Sequence, residues 1–211
     1  MTKAASSHQP KRGRPSVARA EALDRLVIDT ARSMFLADGF DAVAMEQVAS
    51  AARISKGTLY ARHPSKEALF IAMVEDLVRQ WSDEASGEDY LLTDDIETRL
   101  RHHARTIATS LHRPDVVGIQ RLVLSVRDRF PEIARSMHDR GYRYIVELIR
   151  GDIERAAARE GTSLRDPLAV AELIVSSISG RQIQDADITP DGLALFAQRV
   201  IDIVMAARAD W

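Results

Sequence analysis

Apolar residues recur along most of this chain at the three- and four-residue spacing of one helix face, and no run alternates convincingly as a strand would. Glu21 to Asp38 sets Leu23, Leu26, Val27, Ala31, Met34 and Phe35 on one side. Gly39 ends that helix, as a glycine just past a helix end can, and Phe40 packs back. Val48, Ala49 and Ala52 then share the face of a short helix, and the two alanines let a second helix cross closely. Arg53-Ile54 makes the turn, with Ile54 filling the angle. Ser55 is a good N-cap for the next helix, Lys56 to Tyr60. Leu59 points back into the core, which leaves Lys56, Gly57, Thr58 and Tyr60 for another surface. Pro64-Ser65 opens a longer helix through Leu69, Met73, Leu77 and Val78 to about Trp81, predicted to join two domains.

Ser86 to Thr93 reads as a loop. Further helices are predicted over Asp94–Leu111, Asp115–Arg129, Pro131 to about Arg159, Leu168 to about Asp185, and from Thr189-Pro190 to about Arg208. Arg113-Pro114, Phe130-Pro131 and Glu160-Gly161-Thr162 mark the breaks, while Asp166-Pro167 and Thr189-Pro190 pair an N-cap with proline at the first helical position. The expectation is an all-α chain of about nine helices, divided into a flexible basic arm (1–20), a three-helix helix-turn-helix domain (21–68) and a helical body (69–211). A short, weakly apolar helix held by a tight turn is what entry into a DNA major groove requires.

Composition changes this picture little, and charge changes it more. Hydrophobic residues make up 45% of the 211 and charged residues 28%, as in an ordinary globular protein. No window of ~18 uncharged apolar residues exists, so no membrane span is expected. No apolar stretch follows the basic N-terminus, which argues against a secretory signal. The chain has no cysteine, which excludes disulfides, zinc ribbons and thiol catalysis and fits a cytoplasmic protein. The net charge of -2 hides 11 basic against 7 acidic side chains up to residue 70, and 18 against 24 after it. The basic part coincides with the helix-turn-helix, as in a DNA reader attached to a different kind of body.

Lys11-Arg12-Gly13-Arg14-Pro15 fits either a solubilising tail or an arm lying in a narrow A·T minor groove. The neighbouring helix-turn-helix favours the arm, with Arg12 and Arg14 as its contacts. Lys56 offers a phosphate or guanine contact, Thr58 a hydroxyl or methyl to a base edge, and Gly57 close backbone approach. Which of them read bases and which position the protein is open. Adjacent His102 and His103 point about 100° apart on a helix, and no HExxH or Cys partner accompanies them, so no metal is expected. Trp81, His103, Gln120, Arg121, Tyr142 and Tyr144 are polar or aromatic groups that could face a cavity enclosed by the middle helices, about Asp94 to Arg159, but no pocket is assigned from them. No cofactor and no enzymatic constellation is indicated.

Val48-Ala49, Ser55-Lys56-Gly57-Thr58-Leu59-Tyr60 and Ser65-Lys66-Glu67-Ala68-Leu69 resemble the characteristic run of the TetR family of transcriptional regulators. Arg121-Leu122-Val123-Leu124 and Arg129-Phe130-Pro131-Glu132-Ile133-Ala134 look like the ligand-domain signature of its AefR-like or AcrR-like members. The resemblance implies a recognition helix over Lys56–Tyr60, phosphate contacts from Tyr60 and His63, and Lys66 at the phosphate-facing start of the next helix. It implies a homodimer joined through the last two helices, with Leu173, Ile174, Ile178, Phe196, Val200 and Val204 in the interface. It further implies a palindromic double-stranded DNA operator and repression relieved by a small-molecule effector. A ligand-insensitive architectural protein and an activator are the alternatives. The chain departs from the family pattern at Met45, usually Thr or Ser, and at Arg53, often Gly. Arg62-His63 stands where His-Phe is usual, and Val126 where the subgroup is often acidic.

Overall fold

A computed structural model describes residues 17–89, 93–185 and 187–211 of the chain. Those residues are helical throughout, with no strand among them. The elements are α1 (Val17–Ala42), α2 (Met45–Ala51), α3 (Lys56–Arg62), α4 (Lys66–Asp89), α5 (Ile96–Ser110), α6 (Pro114–Val126), α7 (Pro131–Met137), α8 (Arg143–Glu160), α9 (Pro167–Gln184) and α10 (Pro190–Ala206). A π turn, His138–Tyr142, joins α7 to α8, so these form one continuous rod where a single α-helix was expected. Counted this way there are nine rods among the described residues.

The caps expected at Ser55, Asp166 and Thr189 form: each side chain accepts a backbone N–H three residues on. Gly161 ends α8 at φ 67, and Gly39 bends the end of α1 at φ 84, backbone that a side chain would strain. Several boundaries differ from expectation, most of all in α1 and α4. α1 begins at Val17 rather than Glu21, and α4 runs on to Asp89, so the loop expected from Ser86 is helix at its start. Glu84 and Ala85 favour helix by propensity, but no apolar face announces it. In α1, Leu26 is 49% exposed and Ile28 is buried in its stead.

Two apolar cores organise the molecule. The first takes Val27, Ala31 and Phe35 from α1, Val48 and Ala49 from α2, Leu59 from α3, and Leu69, Phe70, Met73 and Leu77 from α4. It also takes Ile119, Val123 and Val126 from α6 and Ile133 from α7, so helices distant in sequence complete it. Four phenylalanine rings lie at its centre. Phe35, Phe40 and Phe70 meet one another at 5.3–5.7 Å, and Phe130 joins Phe40 at 5.3 Å. The second core is built from α5, α8, α9 and α10, closed at one end by Trp211, whose indole N–H donates to the Val204 carbonyl at 2.9 Å.

This second core takes in most of the residues expected in a dimer interface. Ile174, Ile178, Val200 and Val204 are buried within the chain's own core, and Phe196 is half-buried with Arg181 over its ring. Leu173 alone of the six faces out, 54% exposed. α9 and α10 are apolar on more than one face, and Leu173, Ile183, Leu195 and Ile203 are exposed on them.

Each core has a buried charge bound to it. Asp76 of α4 accepts from Arg32 of α1 at 2.9 Å, from Gln80 at 2.8 Å and from Arg79 at 2.6 Å. Asp152 of α8 is held by His103 of α5 at 2.7 Å, by Arg99 of α5 at 2.9 Å and by Arg155. Burial pushes the Asp152 carboxyl up, but the three donors outweigh it and hold the group far below the usual carboxylate range. His103, named above among possible pocket groups, is thereby a partner of Asp152. Because the folded carboxyl titrates below its ordinary value near 3.8, its stabilisation is complete above that value and is lost as pH falls below it. Asp152→Asn should therefore lower stability at neutral pH and flatten the acid limb of the stability–pH curve. Denaturant melts at a series of pH values measure this, and parallel acid limbs would remove Asp152 from the account.

Candidate nucleic-acid interface

α2 and α3 form a bihelical unit carried on the first core. The turn between them is closed by Ala52 N–H to Val48 O at 2.9 Å and Ile54 N–H to Ala49 O at 2.9 Å. Arg53 adopts φ 54, the left-handed conformation that the often-glycine position demands, at a cost of roughly 1 kcal/mol. Met45 is buried at the first turn of α2, and the cap position belongs to Ala44, so a hydroxyl expected at Met45 has its place one residue earlier. Gln47 serves in its stead, its Oε1 accepting the Ala44 N–H at 2.7 Å. Sequence reasoning missed this cap, although a glutamine three residues into a helix is its signal.

α3 buries Leu59 completely and leaves Lys56, Gly57 and Tyr60 exposed, with Thr58 half-exposed. Its first turn is tied inward: the Thr58 N–H donates to Ser55 Oγ at 3.1 Å, and the two hydroxyls lie 2.8 Å apart. The Thr58 methyl and backbone are thus freer for another surface than its hydroxyl. Lys56 Nζ lies 3.5 Å from Glu46 Oε1, across from α2. Arg12 and Arg14 lie outside the described residues.

Of the residues expected as phosphate ligands, His63 is buried and Lys66 is hydrogen-bonded within the chain. His63 caps α3 and is only 8% exposed, its Nε2 enclosed without a hydrogen-bond partner. Burial lowers its pKa and so favours the neutral ring, which is a poor partner for phosphate. The preceding Arg62 turns inward as well, donating to Asp24 and to the Ala20 carbonyl of α1. Lys66 reaches back across the head. Its ammonium donates to the carbonyls of Phe40 at 2.8 Å, Val43 at 3.0 Å and Asp41 at 3.3 Å, and sits 4.6 Å from the centre of the Phe40 ring. Three carbonyls match the three protons of an ammonium group, so Lys66 fastens the α1–α2 link to the start of α4. Arg129 completes this seam with two bonds to Asp41, at 2.9 and 2.8 Å, and holds that carboxyl below its usual range.

Two family comparisons match most of this architecture. Bacterial regulatory proteins of the tetR family match residues 27–73. The AefR-like transcriptional repressor C-terminal domain matches residues 98–207, over half the chain. The chain belongs to the TetR family of transcriptional regulators. It is a member of a DNA-binding repressor family, whose members are transcription factors and not enzymes. It is 32% identical to the DNA-binding transcriptional repressor TetR of Mycobacteroides abscessus over 48% of this chain and 54% of that protein. It is 36% identical to the HTH-type transcriptional regulator RutR of Escherichia coli over 38% of this chain and 36% of that protein. The chain thus spans about half or less of the curated relatives it matches. Solved TetR-family folds align over nearly their whole length. A Mesorhizobium loti regulator gives a TM-score of 0.78 at 22% identity, covering 90% of this chain and 98% of that one. The flavonoid-responsive regulator FrrA gives 0.70 at 26% identity, covering 89% and 97%.

Lys66→Met should weaken the fold while leaving the salt dependence of DNA binding unchanged, because its charge is already committed to carbonyls. Thermal melts and binding titrations over a salt series separate the two effects. A salt slope flattened by about one unit would return Lys66 to the phosphate ligands.

Proposed function

We propose that this TetR-family member is an effector-responsive repressor that binds a palindromic operator as a homodimer. The observation that carries the reading is α3 itself, a helix that buries Leu59 and offers Lys56, Gly57, Thr58 and Tyr60 outward. Residues 21–68 act as the DNA-binding unit and residues 69–211 as the effector-binding and dimerising unit. Lys56 and Tyr60 supply phosphate or base contacts, and the segment bearing Arg12 and Arg14 adds affinity from the minor groove.

One α3 reads too few base pairs for useful specificity, and two copies about 34–36 Å apart read successive major grooves. The exposed apolar side chains of Leu173, Ile183, Leu195 and Ile203 support the dimer, since a second copy would cover them across a two-fold axis. A cleft of about 520 Å³ lies between α4 and the α7–α8 rod, lined by Glu75, Val78, Arg79, Arg140 and Tyr144 among others. A small molecule seated there bears on the helix that carries the head. The likeness to a regulator named as flavonoid-responsive supports this sensing role. An effector that prefers the non-operator spacing about 100-fold shifts the equilibrium by about 2.7 kcal/mol, enough to release DNA. The place of action is the cytoplasm, where the operator is.

Selection of bound duplexes from a random pool tests the reading. An enriched palindrome is expected, and its absence from protein refolded to strip ligand would overturn it. Ile203→Arg should yield a folded monomer in sedimentation, whereas Val200→Arg should unfold the second core. A dimer surviving Ile203→Arg would move the interface away from these residues.

A further inference from the structure

The outward face of α3 is not uniformly basic. Glu46 projects from the first turn of α2 with its side chain 46% exposed, 3.5 Å from Lys56, whose side chain is 65% exposed. Tyr60 lies one turn further along α3 and is exposed on the same outward face. Glu46 is held below the usual carboxylate range by its own backbone amide at the helix start, then by Lys56 and Tyr60, so it is ionised at neutral pH. Lys56, one of the side chains best placed to meet DNA, is therefore paired with an anion.

We propose that Glu46 is a specificity-determining residue: it makes contact with DNA in general unfavourable and is compensated only where a base edge donates to it. The inference rests on the reading that α3 enters a major groove. An exposed ion pair contributes about 0–1 kcal/mol, so DNA can draw Lys56 away from Glu46. The carboxylate then faces a duplex whose phosphates repel it whatever the sequence. In the major groove a carboxylate is matched by the exocyclic amine of cytosine, which supplies a hydrogen where phosphate cannot. Discrimination thus comes from an unfavourable contact that one base relieves as well as from favourable ones.

Two variants separate charge from hydrogen bonding. Glu46→Gln loses the charge and keeps an acceptor, and Glu46→Ala loses both. Each is titrated, beside the native protein, on the selected palindrome, on single-base variants of it and on a random duplex of equal length, across a salt series. Both variants should bind the random duplex on the order of fivefold more tightly. With Lys56 released, their salt slope should steepen by roughly one unit. The native protein should prefer cytosine at one position of each half-site, Glu46→Gln should shift that preference toward adenine, and Glu46→Ala should show neither. An unchanged palindrome-to-random ratio in both variants, or a base preference that Glu46→Ala retains in full, overturns the inference while leaving the operator reading intact. A native protein that prefers no duplex removes both.

Discussion

The reading head depends on how Phe40 is held. Gly39 turns the chain at φ 84, which sends Phe40 back beneath α1 into contact with Phe35, Phe70 and Phe130. Each buried ring contributes roughly 1.5–3 kcal/mol through the water it excludes, and ring pairing adds roughly 0.5–1.5 kcal/mol. Lys66 then closes the same knot from above by gathering the carbonyls of Phe40, Asp41 and Val43. The end of α1, the start of α2, the start of α4 and the α6–α7 junction thus meet in one small volume. The direction in which α3 faces is fixed there, remote from any group that would touch DNA.

The same knot determines which parts can move together. The buried part of α4 belongs to the first core through Leu69, Phe70, Met73 and Leu77, and the Arg32–Asp76 bond ties it to α1. α6 and α7 supply the other wall. α5, α8, α9 and α10 pack on one another, pinned by the donors around Asp152. A rearrangement that preserves both cores shifts one against the other and carries α4 with the head. Bending α4 alone would open the first core.

Much of the head was legible in the sequence because its signals are local. Ser55 before a short polar helix, two alanines at a helix crossing and a residue forced left-handed at Arg53 each act within a few positions. The N-cap and proline pairs at Asp166 and Thr189 are equally local. The structure departs from expectation where a decision depends on a distant partner. Lys66 and His63 read as phosphate ligands from their place in the sequence, whereas the carbonyls that engage Lys66 come from the α1–α2 link, and packing of the head encloses His63. Ile174 and Leu173 are adjacent, both apolar and both on α9, and only the position of α5 and α8 decides which is core. The identity of Glu46 was plain, but its effect required seeing α2 set beside α3.

The π turn at His138–Tyr142 has a consequence for how this chain can vary. Such a turn accommodates one residue more than an α-turn, and one residue on a helix is about 100° of rotation for 1.5 Å of rise. It works as a phase shifter. Upstream of it the rod presents Ile133 to the first core, and downstream it presents Val146, Ile149, Asp152 and Ile153 to the second. Losing a single residue here would let the turn become a regular α-turn and leave Asp152 facing Arg99 and His103. A deletion elsewhere between Ile133 and Asp152 has no such turn to absorb it and would swing Asp152 away by about 100°, so the irregular turn is the one part of this rod where length is free to change.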